Sequence, residues 1–214
     1  MEAAPAFPLR APFRTKVALA ALVAACACTD WRSRVDPARA SAEPEQVLLQ
    51  DEPPITFEAR GHEVRLTPRA SYRITAYAVD TSRMLLDEWD FALPMDLALA
   101  WGPVADPAVL RRMKFHLSGR YVSWWAEDGA LSPRVIQDHV ANHHLVPASD
   151  EVAREMKRVR KGDLVTLRGK LVDVEILDRT GKSAFRSRTS LSRSDLGSGA
   201  CEQLWVEAID VNPP

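Results

Sequence analysis

From Asp163 to Leu177 apolar and polar side chains alternate with no proline among them, the pattern of an extended strand with two unlike faces. The apolar series passes from Val165, Leu167 and Leu171 to Val172, Val174 and Ile176, so a bulge or bend is predicted near Gly169 to Leu171. Asp178-Arg179-Thr180-Gly181-Lys182 has the composition of a hairpin turn, with a return strand over 183–191 and a closing strand over 203–211. A strand this long needs neighbours to pair its amides and carbonyls, so a sheet is required.

Upstream, residues 55–57, 62–66, 72–78 and 120–126 also read as strands, while 85–101 is apolar-rich, broken by Pro94 and ambiguous. Three helix starts are visible. Asp106-Pro107 opens a short helix to about Met113, and Ser132-Pro133 opens one to about Asn142. Ser149 caps a third, with Asp150 and Glu151 at its positive end, Val152, Met156 and Val159 on one face, and Gly162 closing it. The order strands, helices, strands predicts an α+β domain over residues 55–214 with an antiparallel sheet and short helices. The bent strand and hairpin suggest a small partly closed barrel of OB or SH3 type in the C-terminal half. A composition of 46% hydrophobic and 27% charged residues supports a real core and excludes a wholly disordered chain.

The N-terminus carries a different signal. Arg10, Arg14 and Lys16 precede an unbroken apolar run, Val17 to Ala25, which ends at Cys26. A transmembrane helix needs about 20 apolar residues, so this run is too short to span and reads as a secretory signal. Val23-Ala24-Ala25-Cys26 resembles the lipobox of bacterial lipoproteins. That resemblance implies removal of residues 1–25, acylation of Cys26 and a periplasm-facing membrane anchor. Ala27, where an Asp would typically retain the protein at the inner membrane, points to the outer one. The mature chain would have 25 basic and 28 acidic residues, net −3. Residues 26–54, rich in Ala, Pro, Ser and acid, read as a disordered tether.

Four constellations compete as sites. His139 and His143, four apart on the expected second helix, point two imidazoles the same way as metal ligands require, with His144, His62, His116 or Asp138 as a third ligand. The simpler reading packs His139 at the core edge and leaves His143 and His144 at the helix end. Cys201 and His144 are the natural nucleophile and base, although a lone Cys is more often a small buried hydrophobe. Residues 154–193 hold 12 basic and 5 acidic residues, among them Arg168, Lys170, Arg186 and Arg188, which suit a phosphorylated envelope lipid or an acidic glycan. Nucleic acid does not fit the compartment, and a solvated face balanced by the acidic tether is the simpler reading of these charges. Tyr121, Trp124 and Trp125 offer a stacking surface for a sugar, although only one of two adjacent Trp can line any one face of a strand. No GxSxG, CxxC, HExxH or dinucleotide fingerprint occurs, and nothing in the sequence implies a cofactor.

The segments 96–103, 139–148 and 190–202 resemble an uncharacterised family of bacterial secreted or membrane-associated proteins. The resemblance implies one folded unit after residue 60 and carries no residue roles. The expected function is that of a lipid-anchored envelope protein with a binding or structural role. The alternative is an envelope hydrolase or metal-dependent enzyme using the His cluster.

Overall fold

The computed structural model describes residues 30–83, 88–195, 197 and 199–213. The elements run β1 (Glu45–Leu48), β2 (Ile55–Ala59), β3 (His62–Arg83), β4 (Met95–Ala100), α1 (Pro107–Leu110), β5 (Met113–Ser118) and β6 (Tyr121–Ala126). They continue as α2 (Pro133–Asp138), β7 (Val140–Pro147), α3 (Asp150–Met156), β8 (Leu164–Leu177), β9 (Ser183–Ser187) and β10 (Glu202–Asn212). The α+β expectation is overturned: the chain is mostly β, 49% strand and 16% helix, with a mixed sheet of eight strands. All three expected helices are shorter than predicted. The first two yield to strands, β5 after α1, buried on alternate residues, and β7 after α2, buried nearly throughout.

Within the sheet β3, β4, β7, β10 and β8 pair in succession, and β8 pairs back onto β3, giving a partly closed ring. All these pairings are antiparallel except β7 with β10. Two of the five ring strands, β3 and β4, come from the first half of the domain, so the closure is not confined to the C-terminal half as expected. Tyr72, Ile74, Leu97, Leu99, Leu145, Leu167, Leu171 and Leu204 fill the interior, where each buried Leu or Ile contributes about 2 kcal/mol. Val152 and Met156 of α3 belong to the same cluster. That helix starts as predicted, with the Ser149 side chain accepting from the Val152 amide and Asp150 and Glu151 in the first turn. It ends at Met156, so Val159 packs from beyond it and Gly162 does not close it.

The change of apolar face along β8 has a cause other than a bulge in β8 itself. Its first half buries Val165, Leu167 and Leu171 in the ring, and its second half buries Val172, Val174 and Ile176 in a separate cluster with Val64, Leu66 and Val146. The covered side changes, and the register shifts fall in the partner strands, between Pro68 and Ala70 and between Val206 and Ala208. Gly169 lies at the second shift, where a Cβ would come 1.9 Å from the Trp205 carbonyl oxygen.

Residues 30–54, read above as part of a disordered tether, pack on the sheet. Two 3-10 turns (Trp31–Arg34 and Pro37–Ala40) bury Val35 and Ala40, Tyr77 Oη accepts from the Asp36 amide, and β1 pairs antiparallel with β3. Cys26, Cys28 and the apolar run before them lie outside the described residues. The β5–β6 hairpin forms its own two-stranded sheet, joined by Gly119 and Arg120, both at positive φ.

Candidate functional site

β7 lies between β4 and β10 and is covered on both sides, which buries Asn142, His143 and His144 in one run. On a strand, adjacent side chains face opposite ways. His143 therefore joins the ring interior, while Asn142 and His144 meet groups outside it.

On the inner side His143 Nε2 lies 3.0 Å from Tyr72 Oη, and Glu202, its partner in the β7–β10 register, is 1% exposed. Arg193 Nη1 donates to Glu202 Oε1 at 2.6 Å and to Tyr72 Oη at 3.4 Å, and its Nη2 donates to Gln46 Oε1 at 3.0 Å. Burial pushes the Glu202 carboxyl up to about 7 from its ordinary 4.5, against the pull of Arg193. Burial and the neighbouring guanidinium hold His143 down to about 3, so its imidazole is neutral. Burial also raises the Tyr72 phenol. Glu202 Oε2 and His143 Nδ1 are buried without hydrogen-bond partners.

On the outer side Asp96, fully buried, bonds His144 Nδ1 at 2.9 Å and Arg120 Nη1 at 3.4 Å. Asn142 Nδ2 donates to Asp96 Oδ2 at 3.4 Å and to the Arg120 carbonyl at 2.9 Å. Cys201 Sγ lies 3.9 Å from that same carbonyl. Arg120 holds φ at 66°, a region costly for a residue with a Cβ, and its side chain ties the tip of the β5–β6 hairpin to the sheet.

Between β6, β7 and the loop 192–201 lies a cleft of about 170 Å³. Trp101, Tyr121 and Trp124 supply its aromatic lining, and its polar lining includes Gln137, Asp138, Asn142, Ser192, Arg193, Asp195, Cys201 and Glu202. Trp125 faces away from it, 55% exposed, with Lys114 5.5 Å from its ring centroid. The Asn142 amide is oriented by its donors: both neighbours of Nδ2 are acceptors, so Oδ1 is the atom left, buried and unpartnered.

The residues singled out in the sequence fall as follows. The helix expected to carry His139 and His143 stops at Asp138, and His139 is its C-cap, so the two imidazoles share no helix face. His139 Nδ1 meets the Val135 carbonyl at 2.8 Å and Nε2 meets Glu43 Oε1 at 3.0 Å, leaving neither nitrogen for a metal. Among the described residues no group of three or more His, Cys, Asp or Glu is arranged to hold a metal ion. His144 is engaged by Asp96 and Cys201 by a carbonyl, and burial pushes the thiol up to about 11, so at neutral pH it carries little thiolate. Arg168 bonds Asp210, Lys170 bonds Glu52 and Arg186 bonds Glu175, so three of the four cations expected to grip an anion are held by separate carboxylates, and Arg188 is exposed. The sequence reading missed Asp96, Arg120 and Asn142, which lay in segments read as ambiguous, as a strand end and as a helix end.

No family model, no curated protein and no solved structure matches the chain. The resemblance drawn from residues 96–103, 139–148 and 190–202 gains no support from these comparisons.

Proposed function

We propose that this chain is a lipid-anchored envelope protein whose folded part binds a small polar molecule in the cleft between β6, β7 and the loop 192–201. The observation that carries the binding reading is the lining of that cleft. Aromatic walls stand beside Asn142 Oδ1, Asp138 Oδ1 and Glu202 Oε2, all buried and unpartnered. Buried acceptors left without donors cost about 1–3 kcal/mol each, a cost that a ligand's donors relieve. Nucleophilic catalysis is the weaker reading, because Cys201 is not activated and His144 is turned to Asp96.

The anchor rests on the lipobox-like sequence and on one surface of the fold. Arg34, Lys157, Arg158, Arg160 and Lys161 line one groove with Glu155 and Asp163, Arg158 paired with Glu155 and Lys161 with Asp80, and Trp31 packs on Gly162 of the same loop. From Cys26 to Asp30 is four residue steps, at most about 14 Å of extended chain. An acyl group on Cys26 would therefore hold this basic face close to anionic headgroups, where each cation contributes about 1 kcal/mol.

The binding reading is tested by tryptophan emission of the full chain during titration with a panel of small sugars, amino sugars, amines and phosphates. A saturable change that Trp124→Ala abolishes is the expected result. Silence from every member of the panel overturns the reading.

A further inference from the structure

The cleft can be read further for the chemistry of its occupant, on the premise that it is a binding site. We propose that it takes a small organic cation, an ammonium group on a compact ring or short chain. Three observations lead there. Its ionisable lining consists of Asp138, Asp195 and Glu202 against the single cation Arg193. Arg193 is already spent on Glu202, Gln46 and Tyr72, and Asp138 keeps Oδ1 free while its Oδ2 pairs with Arg134 at 2.9 Å. Of the buried unpartnered atoms in the lining, Asp138 Oδ1 and Asn142 Oδ1 are acceptors, and Glu202 Oε2 is one whenever its carboxyl is ionised. Asn142 is 2% exposed, and its amide cannot turn a donor inward without giving up Asp96 and the Arg120 carbonyl.

A ligand that suits such a lining brings donors and no acceptors. An ammonium has three N–H donors and no lone pair, whereas a phosphate or carboxylate brings only acceptors and the wrong charge. A neutral sugar brings both but lacks the positive charge that the carboxylates of this lining favour. Trp101, Tyr121 and Trp124 in the lining are the residue types whose rings attract a desolvated cation. The volume, about 170 Å³, suits one small ring or an aminoalkyl chain.

Glucosamine and glucose are matched probes, differing in one ammonium. In calorimetric titrations of the full chain at neutral pH, glucosamine is expected to bind about tenfold more tightly than glucose. Butylammonium should compete with it and glycerol phosphate should not. Asp138→Asn, on a half-exposed helix end where the fold tolerates it, should weaken glucosamine several-fold and leave glucose unchanged. Equal affinities for the two sugars, or no effect of Asp138→Asn on glucosamine, would overturn the cation assignment while the binding reading stands. Absence of binding by all four probes would overturn the assignment together with the reading beneath it.

Discussion

Glu202 and His143 face each other in the register of β10 on β7 and titrate in opposite senses. The Glu202 carboxyl, raised by burial to about 7, holds its proton more tightly folded than unfolded, so stability falls as pH rises from about 4.5 to 7. His143, lowered to about 3 by burial, binds its proton less tightly folded, so stability falls as pH drops from about 6.5 to 3. The two offset each other where the windows overlap, and each acts alone outside it. Glu202→Gln removes the first. Its urea midpoint should match that of the unsubstituted chain at about pH 5 and exceed it at about pH 8. Parallel pH profiles would show that the carboxyl is not raised. Arg120 is the other residue with much at stake, since Asp96 has no exposure and leans on this cation and on His144. Arg120→Ala should cost about 3 kcal/mol in denaturant unfolding, the scale of breaking a buried pair, and should loosen the β5–β6 wall of the cleft.

At the level of elements, β8 was legible because each of its halves has one buried face, and β10 to within a residue of its ends, while the hairpin return stops at Ser187 and not at Leu191. The start of α3 was legible because its cap, its acidic first turn and the pair Val152 and Met156 agree, whereas its end at Met156 was not. β7 was not, since a strand covered on both sides shows no alternation, and Ser132-Pro133 ahead of it announces a helix that lasts six residues. The His139/His143 spacing lost its meaning with that helix. β5 does alternate, burying Met113, Phe115 and Leu117, but the Asp106-Pro107 cap drew those residues toward the preceding helix. β1 is held from outside its own sequence, by β3 and by Arg73 and Arg193. The cleft was half visible: Trp124 and Cys201 were noticed, whereas the acceptors that give it chemistry come together only through the ring. Gly169 tests how tightly that ring closes. Gly169→Ala sets a methyl against the Trp205 carbonyl where β8 meets β10, and thermal unfolding should show a loss of about 3 kcal/mol or more. A loss well under 1 kcal/mol would mean that the two strands stand farther apart.

For the whole molecule, the proposed anchor on Cys26 would set the orientation, through the short reach to Asp30 and the cations beside Trp31. Lys157→Glu with Arg160→Glu leaves the core untouched, because both side chains are exposed. In a Cys26→Ser background this pair should lower sedimentation with phosphatidylglycerol vesicles, and raised salt should do the same to the parent. The location underlies every statement about where the ligand is met. Intact mass of the chain purified from its own membranes tests it most directly. The expected species begins at Cys26 and carries added acyl mass; a chain of unmodified mass that keeps residues 1–25 would contradict the account.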